Sequence, residues 1–410
     1  MPTPAPRSSL IEVVAPNLKR RLSGVTATVV RLVPVQARMI GIVTTGPGLP
    51  DNLPHVPLAR AATLPRDRWR VWHARRNTEM LLGLVLRHLL RRRYRLLFTS
   101  AAQRAHTGLT RWLIRRQDAV IATSPQAAGF LERPATVILH GVDTDVFRPA
   151  PDRAALRRDL GLDPDAVLVG CFGRVRAQKG VDLLVEAAIR VFPRHPRAQL
   201  IFTGRITPDN RAFAGDLMAR ARAAGIGDRV RFLGEIPWEQ VVRHYQALDL
   251  FAAPARWEGF GLTPLEAMAC GVPVIASRAG AYEALIRDGD TGTLVPRDDA
   301  DALARALDRW LGDDAARARA GEVARRHVVR NHAIEVEARA IVDIYLKLLA
   351  LRAGASCLRG PCATRPRWRR CRCRSAIFWR HWTAAGSRLW ATPARLRPRA
   401  TARRSTRPIW

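Results

Sequence analysis

The sequence predicts an α/β protein of two doubly wound parallel sheets facing each other across a cleft, and three observations lead there. Short apolar runs alternate with amphipathic stretches from about residue 9 to residue 350. The alternation is interrupted at Phe147-Arg148-Pro149-Ala150-Pro151 and then restarts. At 410 residues the chain exceeds the usual size of one core, so two domains are expected. Alternating β and α units argue for parallel sheets covered on both faces. Ligands of such sheets bind beyond the carboxyl ends of the strands.

In the first series, Leu10–Ala15, Met39–Thr44, Leu96–Thr99, Ala119–Thr123 and Thr136–Leu139 read as buried strands, with helical patterns at Val25–Ala37 and Asn77–Leu90. In the second, the strands are Val167–Phe172, Gln199–Thr203, Val230–Leu233, Leu250–Ala253, Val272–Ala276 and Thr293–Val295. The expected organisation is a disordered stretch over 1–9, one domain over 10–145 and a second over 146–335. A helix over 332–350 crosses back to the first domain, and 351–410 forms a basic tail.

The charge is +33, from 68 Lys and Arg against 35 Asp and Glu, which suggests a polyanion, an anionic membrane surface or a phosphorylated ligand. Its distribution changes its meaning. Residues 351–410 hold 16 Arg, no acidic residue, four of the six cysteines and five of the eleven tryptophans. That composition, without periodicity, reads as out-of-frame translation rather than a folded module, and is expected to be disordered and dispensable. Cys357, Cys362, Cys371 and Cys373 lack histidines at zinc spacing, while Cys171 and Cys270 read as small buried residues. These features fit a reduced, cytosolic setting. The N-terminus shows no secretory signal, and Met80–Leu90 is too short to cross a bilayer.

Two segments carry chemistry. Glu258-Gly259-Phe260-Gly261-Leu262-Thr263-Pro264-Leu265-Glu266 places one glutamate in a Gly-rich loop and another inside the following helix. Glycines let backbone N–H groups approach a ligand, and a helix N-terminus favours an anion. Phe172-Gly173-Arg174-Val175-Arg176-Ala177-Gln178-Lys179-Gly180 follows a strand and opens a helix, and its cations suit a diphosphate. It is not a Walker A loop. Lys179 is one of only three lysines, with Lys19 and Lys347.

In this order and about 80 residues apart, the two segments resemble the retaining family 4 glycosyltransferases of the GT-B fold, which pair two Rossmann-like domains. The resemblance covers roughly residues 10–350 and includes His140-Gly141-Val142-Asp143, similar to the family's Asn-Gly-Val-Asp linker. It implies that Arg174 and Lys179 hold the donor diphosphate. It further implies that Glu258 lies by the donor sugar, with Gly259, Phe260 and Gly261 around it, and Glu266 by the ribose. Ser23-Gly24-Val25 is similar to the family's Gly-Gly loop and would bring Gly24 near the donor phosphate. His73, in Val71-Trp72-His73-Ala74, is the candidate beside the reacting carbon.

Lys19-Arg20-Arg21-Leu22-Ser23-Gly24-Val25, Trp72-His73-Ala74-Arg75-Arg76-Asn77 and Phe98-Thr99-Ser100-Ala101-Ala102-Gln103-Arg104 look like the mannosyltransferases of lipopolysaccharide core assembly. That resemblance implies GDP-mannose as donor, an anionic Kdo–lipid A acceptor, and peripheral contact with the cytoplasmic face of the bacterial inner membrane. Residues 60–116 carry 15 Arg against Asp67 and Glu79, which fits an anionic lipid surface. No cofactor and no metal are expected, since no Asp-x-Asp site is present and the cations can replace a divalent ion. A UDP-sugar-dependent enzyme acting on another glycan is the alternative, and a basic nucleic-acid-binding protein is the alternative from a different class. Against the latter, half the excess charge lies in the tail and no nucleic-acid module is visible.

Overall fold

The computed structural model describes residues 10–19 and 24–351, so the tail expected to be disordered lies outside the described residues. The first sheet contains β1 (Val13–Pro16), β2 (Ile42–Thr45), β3 (Arg70–Ala74), β4 (Tyr94–Ser100), β5 (Ala119–Ala122) and β6 (Thr136–Val137). Every pairing is parallel and the order is β2-β1-β3-β4-β5-β6. The second contains β7 (Val167–Phe172), β8 (Ala198–Thr203), β9 (Val230–Phe232), β10 (Leu250–Ala253), β11 (Val274–Ser277) and β12 (Gly292–Val295). It too is parallel throughout, in the order β12-β11-β10-β7-β8-β9. The strand order of the second sheet reverses between β7 and β10, so the loops after those two strands flank its ligand crevice.

The sheets need helices on both faces because their central strands are buried on both. In the first domain α1 (Gly24–Gln36), α3 (Asn77–Leu84) and α4 (Gly108–Arg115) supply part of the cover, and α2 (Leu58–Thr63) and α5 (Pro125–Gly129) are short connectors. In the second, α7 (Val181–Val191) and α12 (Ala300–Leu311) lie side by side over one core, which includes Leu184, Val185, Leu307 and Trp310. The opposite face is built around α9 (Trp238–Ala247), α10 (Thr263–Ala269) and α13 (Asp314–Asn331). The remaining helices there are α6 (Arg153–Asp159), α8 (Arg211–Ala223) and α11 (Tyr282–Leu285).

The last helix, α14 (Ile334–Ala350), packs on the first domain: Ile341, Tyr345 and Leu348 share a core with Val13, Val71 and Leu97. The two chain crossings that this requires are bonded to each other. Val142 N–H donates to the His332 carbonyl at 2.8 Å, and Ile334 N–H donates to the Val142 carbonyl at 2.9 Å.

One strand has no counterpart among the sequence-predicted ones. β3 reads Arg-Val-Trp-His-Ala, and its two long polar residues conceal it from a search for apolar runs, yet all five residues are buried. Arg70 is tolerated because its guanidinium donates to the carbonyls of Ile11 and Pro65 and pairs with Asp67. Among the described residues, no helix is long and apolar enough to cross a membrane. Within the Met80–Leu90 stretch, Met80, Leu84 and Leu86 face the core, whereas Leu81, Leu89 and Leu90 are exposed.

Candidate active site

The loops after β7 and β10 converge because glycines permit it. Gly180, at φ 69°, lies so near the Pro254 carbonyl that a Cβ would come within 1.9 Å of its oxygen. Lys179 precedes it in a single 3₁₀ turn, Ala177–Lys179, and its ammonium forms an ion pair with the Glu258 carboxylate. The other oxygen of Glu258 accepts the Gly259 N–H at 2.9 Å. Gly261, at φ 87°, is pressed against Tyr282, where a Cβ would stand 2.3 Å from the ring. The loop after β10 is clamped from behind by Arg256, whose guanidinium forks onto both oxygens of Asp182, 2.8 Å each, at the start of α7.

Glu266 lies on α10 and is buried, with its carboxylate accepting from the Tyr245 hydroxyl at 2.8 Å. Burial raises its pKa above the usual value, opposed by the Tyr245 hydrogen bond and by the charge of Arg31. A cavity of about 440 Å³ lies here, and its lining includes Gly173, Arg174, Tyr245, Thr263 and Glu266. The structure therefore brings Arg174 and Glu266 to one cavity and joins Lys179 to Glu258 beside it. The site can offer cations to a diphosphate and a carboxylate to vicinal hydroxyls. Cys171 and Cys270 are free and buried. Among the described residues, no three His, Cys, Asp or Glu side chains gather as metal ligands.

Besides the charge of Arg31 near Glu266, the first domain makes two direct contacts with this site among the described residues. The Gln103 amide donates to the Gly259 carbonyl, and the His140 ring packs edge-on against Phe260 at 4.7 Å between centroids. Gly24 is the first residue of α1, while residues 20–23 just before it lie outside the described residues.

The reading of His73 is corrected. It sits within β3, fully buried, and both ring nitrogens are occupied. Nδ1 is 2.6 Å from the Tyr345 hydroxyl, and Nε2 is 2.7 Å from the Thr99 hydroxyl. Burial, reinforced by the charge of Arg75, holds its pKa well below the usual histidine value. His73 is a neutral strut joining β3 to β4 and α14, without a free nitrogen for a substrate.

Several of the 15 arginines in residues 60–116 are likewise structural, because Arg76 pairs with buried Glu79, Arg87 with Asp118, and Arg111 with Glu132. Sequence reasoning missed Tyr245, which bonds Glu266 and lines its cavity, Glu337, which holds His140, and Arg75, which lines a second cavity. None of the three carried a signal in the sequence, since β3, at whose end Arg75 stands, is not among the sequence-predicted strands.

Two parallel six-stranded sheets, with a cation loop and a Glu-x7-Glu helix at the switch point of the second, define a glycosyltransferase of the GT-B fold. Residues 152–327 match the family model for glycosyl transferases group 1. The chain is 52% identical over 344 residues to the lipopolysaccharide core biosynthesis mannosyltransferase LpcC of Rhizobium leguminosarum bv. viciae, covering 83% of this chain and 97% of that one. It is 49% identical over 347 residues to the corresponding mannosyltransferase LpsB of Rhizobium meliloti (strain 1021), covering 98% of that chain. The chain belongs to the group 1 glycosyltransferases. Among solved structures, Anabaena Alr3699/HepE in complex with UDP superposes with a TM-score of 0.71 at 19% identity, over 82% of this chain and 100% of that one. Sucrose-phosphate synthase from Thermosynechococcus elongatus superposes with a TM-score of 0.68 at 25% identity, over 83% and 99%. The former likeness concerns the fold alone.

Proposed function

We propose that this glycosyltransferase moves mannose from GDP-mannose, with retention of the α configuration, onto a Kdo–lipid A acceptor of the lipopolysaccharide core. The observation that carries this reading is the identity of 52% and 49% to two lipopolysaccharide core mannosyltransferases across nearly their whole lengths. In the reaction, the bond from mannose C1 to the β-phosphate oxygen breaks. An acceptor hydroxyl oxygen bonds to C1 from the same face, and its proton passes to the leaving phosphate. Arg174 and Lys179 stabilise the departing GDP, a preorganised electrostatic role that replaces a divalent metal. Glu258 orients the mannose hydroxyls and Glu266 accepts from the ribose. The enzyme works at the cytoplasmic face of the inner membrane, held there peripherally by exposed arginines such as Arg66, Arg91 and Arg93.

The test is nucleotide release from a panel of donors in the presence of Kdo–lipid A and chelator. GDP released from GDP-mannose, only when acceptor is present, is the expected result. Turnover of UDP-glucose or UDP-galactose instead would replace this donor assignment with the UDP-sugar alternative.

A further inference from the structure

Beyond the donor site, a second cavity of about 620 Å³ opens in the first domain at the carboxyl ends of β3, β4 and β5. Its lining is rich in hydroxyl groups, from Thr99, Ser100, Thr110 and Thr123 among others, and includes Arg75 and Arg104 but no Asp or Glu. Arg75 is more than nine-tenths buried. Its guanidinium hydrogen-bonds to the Tyr345 hydroxyl and its Nη1 donates to the His73 carbonyl at 3.4 Å, while its Nη2 has no hydrogen-bond partner. The Thr123 hydroxyl in the same lining is also buried and unpartnered. The nearby acids are already engaged. Glu79 takes the Arg76 guanidinium and the Arg75 backbone N–H, while Glu337 takes His140 and the Gly141 N–H. Arg75 makes no ion pair among the described residues, and a buried guanidinium without a carboxylate is costly unless a ligand supplies one.

We propose that this cavity is an acceptor subsite for a sugar bearing a carboxylate, and that Arg75 is the residue that selects it. The guanidinium fork matches a carboxylate in two parallel hydrogen bonds. The surrounding hydroxyls match those of a sugar ring. The cavity lies in the first domain, where Gln103 and His140 carry contacts to the donor loop. The proposal rests on the reading of the chain as a transferase acting on an acidic glycan.

The test compares a Kdo-bearing acceptor with the same acceptor reduced at its carboxyl group to a neutral alcohol. Wild-type enzyme should favour the acid in kcat/KM by at least tenfold. Arg75→Gln should bring that preference close to one, and Arg75→Lys, which keeps the charge but loses the fork, should fall between. Equal losses on both acceptors, leaving the preference intact, would assign Arg75 a structural role and overturn the proposal. Direct binding to the wild-type protein gives a reading independent of any variant, using the methyl glycoside of Kdo, its carboxyl-reduced alcohol and glucose 1-phosphate. Tightest binding of the acid supports the subsite. Equal binding of acid and alcohol, or a preference for the phosphate, overturns it. Failure to transfer to Kdo–lipid A, with the acid probe still bound through Arg75, would sink the proposed acceptor and leave the subsite standing.

Discussion

The Lys179–Glu258 ion pair sets up a competition that mutation can expose. If Lys179 serves the donor diphosphate, GDP must draw its ammonium away from Glu258. The two side chains are 21% and 16% exposed, so solvent screens the pair incompletely. Exposed pairs contribute about 1 kcal/mol at most, and charge-assisted hydrogen bonds about 1.5–3 kcal/mol. Releasing Lys179 with Glu258→Gln should therefore tighten GDP binding by about tenfold, at ~1.4 kcal/mol per factor of ten. If Glu258 orients the donor sugar as proposed, the same change should also slow turnover of the nucleotide-sugar donor. Lys179→Ala should act oppositely on GDP, weakening it by about ten- to hundredfold. Calorimetric titration with GDP and steady-state GDP release would give both numbers. Unchanged GDP affinity in both variants would mean that the pair does not stand in the diphosphate site.

Glu266 gives a pH signature: a ribose hydroxyl needs a carboxylate acceptor, so GDP affinity should fall as pH drops through the raised Glu266 pKa. In Glu266→Gln that acidic limb should vanish from titrations across pH. The stability sign follows from the same shift. A carboxyl raised in the folded state contributes stability below its unfolded value of about 4.5 that is lost as pH rises through the folded value. Glu266→Gln should therefore not lower the melting temperature at neutral pH through loss of charge. A chain ending at Ala350 should keep wild-type melting temperature and turnover, and loss of either would show that residues 351–410 contribute to the fold. With that shorter chain, flotation with anionic vesicles should be strong at low salt and largely lost at several hundred millimolar. Each surface arginine adds about 1 kcal/mol at most, screened over roughly 8 Å. Salt-insensitive flotation would point to insertion of exposed Leu89 and Trp112 instead.

The layout of the two loops and α10 in the second domain was legible in sequence because it is local. A Gly-bounded loop after a strand fixes where Arg174 and Lys179 stand, and Glu266 follows the loop that holds Glu258 within the first turn of α10. The first domain was much less so, because its polar residues are explained only by distant partners. His73 reads as a free imidazole until Tyr345, 272 positions away, takes one nitrogen. Arg70 argues against a strand until the Ile11 carbonyl, 59 positions earlier, accepts from it. Arg75 is indistinguishable by type from fourteen neighbouring arginines, and only its burial without an acid sets it apart.

Glu337 brings together the link between domains and the donor loop. Almost wholly buried on α14, it accepts from His140 Nδ1 and from the Gly141 N–H, both at 2.7 Å. It thereby joins the first chain crossing to the helix that begins immediately after the second. Glu337→Ala would strand a backbone donor and an imidazole nitrogen in a buried setting, at about 1–3 kcal/mol for each group left unpaired. A melting temperature lower by several degrees is expected. Glu337→Gln keeps one acceptor oxygen for Gly141 and an amide that His140 can meet by changing tautomer, so its loss should be smaller. Because His140 also packs on Phe260 in the loop after β10, the alanine variant should raise the KM for the nucleotide-sugar donor more than the glutamine variant does. Were Glu337→Ala to melt with wild type and keep its donor KM, the hydrogen bonds between the crossings and core packing of α14 would suffice, and Glu337 would not be the tie.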